Sequence, residues 1–303
     1  MRTPMKLRFD EQVAIVTGAG KGLGREYALQ LAARGARVLV NNRAHAGDPV
    51  RSADSTVAAI VAGGGAAVAN YASVEDEDAP QEMLRQALAA WGRVDIVIHN
   101  AGIARSGFFT RMSATDFAAL MRINFLAPVA LTRAVLPHMR ERGYGRMVFS
   151  TSAAGLYGNR GQSAYSASKA ALLAFMQSIR LEESGYDFRV NAIAPFADTP
   201  MTAGYMPGQS DGRFSTAWPA ALALWFAHRD CSASGDTVIA GGGVFRAARW
   251  VEGEGLQIPG FAQIGAEDIA RHYAAIRSLD PAIGQDSADD CFRRVVAAAA
   301  PDS

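Results

Sequence analysis

Tyr165 stands four positions before Lys169 in the stretch "SAYSASK", residues 163–169, with small residues filling the gap. On a helix, positions i and i+4 share a face, so the phenol and the ammonium lie side by side. A phenol with its ordinary pKa of about 10 is a poor proton shuttle at neutral pH, and positive charge close by favours phenolate. The pair therefore suits general acid–base chemistry, and the small residues let its helix approach a neighbour closely.

A second stretch, "TGAGKGLG" at 17–24, follows the apolar run "VAIVTG" and opens a helix, the setting that a dinucleotide loop requires. Gly18 allows the tight turn, Gly22 lets the backbone approach a pyrophosphate, and Gly24 lets helix and sheet pack closely. The start of the helix offers free N–H groups to the anion.

The elements that must position these residues alternate. Short β-branched runs at 13–18, 36–42, "AAVANY", "VDIVIHNAG" and "GRMVFSTS" are separated by helical patterns, including a long one from about 113 to 142. This order predicts an α/β, doubly wound Rossmann fold: a central parallel sheet of about seven strands with helices on both faces. No repeat or linker divides the chain, so it reads as one domain, with a core at about 9–245 and a C-terminal extension at about 246–303.

The glycine loop, "HNAG" at 99–102 and "YSASK" together resemble the short-chain dehydrogenase/reductase family, whose usual forms are TGxxxGxG, NNAG and YxxxK. The resemblance covers nearly the whole chain. It implies hydride transfer between a nicotinamide and an alcohol or carbonyl carbon, with Tyr165 as acid/base and Lys169 lowering its pKa and holding the nicotinamide ribose. Ser152, thirteen residues before the tyrosine, takes the place of the serine that holds the substrate oxygen, with Ser150 and Thr151 as nearby competitors. Asn124, in "MRINFLAP", matches the asparagine that keeps a water in the proton relay. The same resemblance places Gly18, Lys21, Gly22, Leu23, Gly24, Ser73, Val74, Asn100, Ala101, Gly102, Pro195 and Thr199 against the cofactor, along with Tyr165 and Lys169. His99, where the family usually has asparagine, is expected to pack.

Cofactor choice turns on the end of the second strand. NAD-preferring relatives carry an acid there that binds the ribose 2′-hydroxyl, whereas this chain has Asn42, 18 residues after the last loop glycine, followed by Arg43. Arg43 and Lys21 stand where NADP-preferring members carry bases able to pair with a 2′-phosphate. NADP(H) is the favoured cofactor and NAD(H) the alternative. The usual aspartate that contacts adenine is replaced by Ala72.

Longer stretches such as "VANYASVED" and "YGNRGQSAYSASK" are similar to the (3R)-3-hydroxyacyl-CoA dehydrogenases, a subgroup whose chains also continue past the seventh strand. That similarity implies a 3-hydroxyacyl/3-oxoacyl thioester pair as substrate. A steroid or other bulky ketone is the alternative, and a dinucleotide-binding redox sensor or scaffold without turnover is the rival of another class. Phe108, Phe109, Tyr157, Phe196, Tyr205, Met206 and Trp218 are expected to make the substrate pocket apolar.

Composition sets the outer bounds. Thirty basic against 29 acidic residues give a formal charge of +1, which creates no field for nucleic acid or an anionic membrane. Two cysteines 60 residues apart suggest neither a disulfide framework nor a metal site. The apolar run "WPAALALWFA" is shorter than the roughly 20 residues of a membrane span, and the charged N-terminal stretch is unlike a signal peptide. A cytoplasmic enzyme on a small carbonyl or alcohol substrate is expected, and the family resemblance implies a homodimer or homotetramer.

Overall fold

The computed structural model describes residues 7–44, 50–203, 212–258 and 264–299. The chain divides into two compact units, Met1–Ala248 and Arg249–Ser303. The first contains an eight-stranded sheet in the order β3-β2-β1-β4-β5-β6-β7-β8. Its strands are β1 (Val13–Thr17), β2 (Arg37–Asn41), β3 (Ala66–Asn70), β4 (Ile96–His99), β5 (Tyr144–Ser150), β6 (Asp187–Pro195), β7 (Thr237–Gly241) and β8 (Val244–Ala248). Between them run α1 (Gly22–Ala32), α2 (Ser52–Ala62), α3 (Ala79–Trp91), α4 (Ala114–Met121), α5 (Ala127–Glu141), α6 (Ala153–Tyr157), α7 (Ser163–Glu182) and α8 (Ala217–Ala227).

Parity explains the two-sided core. Strand side chains alternate faces, so Ala14 and Val16 of β1 join Tyr27, Leu31 and Phe226 on one side, while Val13 and Ile15 join Met83, Leu131 and Leu172 on the other. All five β1 residues are buried, which is why the strand reads as a continuous apolar run rather than an alternating one. The first seven strands are mutually parallel. From β1 the chain proceeds outward through β2 and β3, then returns to place β4 on the opposite side of β1. The crevice beyond the carboxyl ends of β1 and β4 is thus the topological switch point where such sheets receive ligands.

The structure departs from the sequence reading in two elements. An eighth strand extends the expected seven: Gly242 and Gly243, at φ 59° and 78°, turn β7 back into antiparallel β8. β8 is an edge strand with four exposed residues, so the burial signal that marks the other strands is missing from it. The long helix, Ala114–Glu141, carries a π-helical turn at Arg122–Leu126 between α4 and α5. It, rather than "WPAALALWFA", is the longest apolar helix among the described residues. By length and composition it could cross a membrane, yet 56% of its most apolar window is buried inside the protein.

The second unit contains α9 (Ala266–Ile276) and α10 (Ala288–Ala299), and pairs Glu252 with Ile283 in a single antiparallel bridge.

Candidate active site

The three hydroxyl residues leaving β5 face different partners. The Ser150 side chain is buried beside the Tyr27 phenol of α1, and Thr151 Oγ1 donates to the Lys169 carbonyl at 2.9 Å. Ser152 caps α6, accepting the Ala154 N–H at 3.1 Å, and its hydroxyl acts on the Tyr165 phenol, favouring the ionised form. Of the three competitors, Ser152 is the one that reaches the tyrosine.

Tyr165 and Lys169 occupy one face of α7, with Nζ 5.8 Å from the phenol ring centroid. The ammonium donates to the Ser150 carbonyl at 2.8 Å. The close approach anticipated from the small residues is made from α6: a Cβ on Gly155 would come within 2.9 Å of Lys169 Cβ. Burial pushes the Lys169 ammonium down to about 8, since desolvation penalises its charged form. Burial also raises the Tyr165 pKa, and the Ser152 hydrogen bond opposes that rise. Lys169, expected to lower the phenol's pKa, stands beside the ring, and Ser152 is the side chain that counters burial.

Asn124 lies in the π-helical turn and is fully buried. Its carboxamide is committed to the loop after β4: Oδ1 accepts the Ile103 N–H at 2.8 Å, while Nδ2 donates to the Ile103 carbonyl at 2.9 Å and to Ser168 Oγ at 3.1 Å. It therefore acts on loop and helix positions directly. A Cβ on Gly102 would lie 3.0 Å from Asn124 Oδ1 and 3.5 Å from Lys169 Nζ, so the glycine keeps open a space between those two polar atoms.

At the glycine loop, Gly18 adopts φ 64°, and a Cβ there would meet Ala101 Cα at 2.8 Å. Thr17 Oγ1 accepts the N–H groups of Asn100 at 3.0 Å and Ala101 at 3.1 Å, and Asn100 Nδ2 donates back to the Thr17 carbonyl at 3.1 Å. These bonds join the loops after β1 and β4 across the switch point. A Cβ on Gly24 would strike the Gly18 carbonyl oxygen at 2.3 Å, so its close approach is to the loop rather than to the sheet.

Two adjoining hollows of about 250 and 200 Å³ form one cleft, sharing Gly18, Asn42, Ala101, Gly102 and Ile103. The larger is lined by Lys21, Gly22, Leu23, Asn100, Tyr165, Lys169, Pro195 and Thr199, and the smaller by Arg43, Ser73 and Val74. Every residue expected to touch a dinucleotide lines it except Gly24. The cleft fits such a ligand: no side chain caps the first N–H groups of α1, and a Cβ on Gly22 would close the gap to Thr199 to 3.3 Å. Ile103, Ser150, Thr151, Pro200 and Met201 also line it, and adjacency to the expected residues was the only sequence signal for them.

Near the smaller hollow, Asn42 Nδ2 donates to Ser52 Oγ at 2.8 Å, and Arg43 Nη1 lies 4.0 Å from Glu75 Oε1. Glu75, from the loop after β3, also accepts Arg122 Nε at 2.8 Å. The sequence reading overlooked this carboxylate. His99 packs as expected, stacked on Phe149 at 4.5 Å, and burial lowers its pKa to about 3. None of the described aromatic side chains expected around the substrate lines the dinucleotide cleft. Phe108, Phe109, Tyr157, Phe196 and Trp218 are exposed and none lines either hollow, while Tyr205 and Met206 lie outside the described residues.

Residues 12–209 match the family described as short chain dehydrogenase. The chain belongs to the short-chain dehydrogenase family. It is thus an oxidoreductase acting on CH–OH groups, in a family that binds NAD(P)(H). It is 40% identical over 248 residues to peroxisomal multifunctional enzyme type 2 of Mus musculus, covering 80% of this chain and 33% of that one. It is also 38% identical over 192 residues to a 3-oxoacyl-[acyl-carrier-protein] reductase of Synechocystis, covering 63% of this chain and 76% of the relative. Among solved structures, a short chain dehydrogenase from Mycobacterium avium superposes with a TM-score of 0.79 at 30% identity, covering 91% of this chain and 99% of that one. The chain therefore spans about a third of the multifunctional enzyme but nearly all of the mycobacterial dehydrogenase.

Proposed function

We propose that this short-chain dehydrogenase is NADP(H)-linked and interconverts a 3-hydroxyacyl and a 3-oxoacyl thioester. The observation that carries the reading is the content of one cleft: Tyr165 and Lys169 line one hollow, and Arg43 lines the adjoining one next to Asn42, the position where NAD-preferring relatives hold an acid. A guanidinium suits the extra phosphate of NADP(H), and Asn42 repels neither nucleotide. The thioester assignment is supported by the relative named for 3-oxoacyl reduction.

Bound NADP(H) would lie along the cleft, with its pyrophosphate at Gly18, Gly22 and the start of α1 and its nicotinamide near Pro195 and Thr199, and would supply or accept the hydride. The chain's own residues manage the oxygen and its proton. Ser152 holds the substrate oxygen against Tyr165, and Tyr165 passes a proton to or from that oxygen. Lys169, anchored by the Ser150 carbonyl, holds its amine beside the phenol and favours phenolate while it is protonated. Asn124 fixes the loop that carries Gly102, and through it the space next to Lys169. A homo-oligomer assembled through the 114–141 helix and α7 belongs to the same reading, supported by the exposed apolar side chains of Leu126 and Leu181.

The test is steady-state turnover of 3-oxoacyl-CoA thioesters and a panel of bulky ketones with NADPH and with NADH. The expected result is thioester reduction with kcat/KM for NADPH at least about tenfold above that for NADH, about 1.4 kcal/mol of discrimination. A preference for NADH overturns the cofactor half, and turnover confined to bulky ketones overturns the substrate half.

A further inference from the structure

We propose that Glu75 and Arg122 set how strongly the cleft selects a 2′-phosphorylated dinucleotide, because Glu75 competes for Arg43 and Arg122 holds Glu75 away from it. This rests on the reading that Arg43 receives the 2′-phosphate.

Glu75 is shared unequally between two cations. Its Oε2 accepts a hydrogen bond from Arg122 Nε at 2.8 Å, whereas its Oε1 only approaches Arg43 Nη1, at 4.0 Å. The carboxylate is 24% exposed and both guanidiniums are about half exposed, at 49% and 51%, so Glu75 is the most enclosed member. Arg122 projects from the π-helical turn beside Ile123, which itself lines the smaller hollow. Arg43 sits on the segment leaving β2, close to the cleft.

A phosphate monoester arriving at Arg43 meets a guanidinium already facing a carboxylate. Arg43 can turn to the phosphate by giving up the 4.0 Å contact, while the hydrogen-bonded Arg122 keeps Glu75 neutralised. Arg122 thereby assists phosphate binding without touching the nucleotide, and Glu75 opposes it. NAD(H), with a neutral 2′-hydroxyl, gains little from either residue.

The decisive measurement is the calorimetric Kd of NADP+ and NAD+ for the full chain without substrate, in wild type, Glu75→Gln, Arg122→Ala, the double variant and Arg43→Ala. Glu75→Gln is expected to tighten NADP+ and Arg122→Ala to weaken it, each by about two- to fivefold, the range for half-exposed ion pairs. NAD+ should move less in both. In the Glu75→Gln background, Arg122→Ala should lose its effect, since no carboxylate remains to be released. If Arg122→Ala weakens NADP+ equally in both backgrounds, Arg122 meets the phosphate itself and the competition idea falls. If Arg43→Ala weakens NADP+ but Glu75→Gln leaves it unchanged, this inference fails while the NADP(H) reading stands. An Arg43→Ala variant with an unchanged ratio of NADP+ to NAD+ affinity removes both.

Discussion

Asn124 grips the Ile103 peptide at both of its polar groups, accepting its N–H at 2.8 Å and donating to its carbonyl at 2.9 Å. A carboxamide is the side chain that can do both, and here it does so with no exposure to solvent. Asn124→Asp keeps an acceptor but turns a second carboxylate oxygen toward the Ile103 carbonyl. The expected outcome is a loss of about 2–4 kcal/mol in stability, because a buried carboxylate is set against the Ile103 carbonyl oxygen with no cation to neutralise it, together with reduced turnover. Urea unfolding checks the first part. An unchanged midpoint would mean that the Ile103 clamp carries no stability.

Gly102 separates Asn124 Oδ1 from Lys169 Nζ, and a methyl placed on it would lie 3.0 Å from the first and 3.5 Å from the second. Gly102→Ala is therefore predicted to lower kcat by roughly ten- to a hundredfold, as small displacements at a reacting centre do. Dinucleotide Kd, followed by calorimetry, should change less than kcat. An unaltered kcat would show that the open space has no part in turnover.

Much of this site was legible because its strongest signals are local. The glycine loop spans eight residues and the Tyr165–Lys169 pair five, so each pattern is complete within one stretch of chain. Asn124, Ser152 and the dinucleotide-lining set came from the family resemblance, and the structure brings them to the same cleft or to residues touching it. What was missed is non-local. Thr17 gains its importance from Asn100, 83 positions away, and Glu75 from Arg122, 47 positions away. No periodicity encodes such pairs. The π-helical turn at Arg122–Leu126 is one added residue inside a long helical pattern, and edge strand β8 has too little burial to betray itself. The aromatic side chains misled for a related reason: residue type alone cannot tell Phe109, which is exposed, from a pocket wall.

Lys169 gives the protein a stability signature on the alkaline side. Burial lowers its pKa from 10.5 to about 8, so between those values the unfolded chain holds a proton that the folded chain has released. Stability therefore rises with pH across that window, and the penalty of a buried ammonium is fully present below about pH 8. Lys169→Met removes the titration. The stability of wild type relative to this variant should climb by up to about 3 kcal/mol from pH 7.5 to 10.5, following 1.36 kcal/mol per pKa unit. Denaturant unfolding of the dinucleotide-free proteins at several pH values tests this. A constant difference would place the Lys169 pKa outside the window.

Ser152 and Tyr165 make the sharpest kinetic prediction, because one bond joins orientation to acidity. Burial raises the Tyr165 pKa, so phenolate, the form that takes a proton from an alcohol, becomes populated only as pH rises. Alcohol oxidation should accelerate with pH until the phenol has titrated. Ser152→Ala removes the hydrogen bond that opposes the burial effect, which raises the phenol further and moves the rising limb to higher pH. Tyr165→Phe should abolish the limb and reduce turnover by about 10²–10⁴-fold while leaving dinucleotide binding nearly intact. The two variants separate the roles. A Ser152→Ala enzyme with lower kcat/KM but an unmoved limb would confine Ser152 to holding the substrate oxygen, whereas a displaced limb establishes that it also sets the acidity of Tyr165.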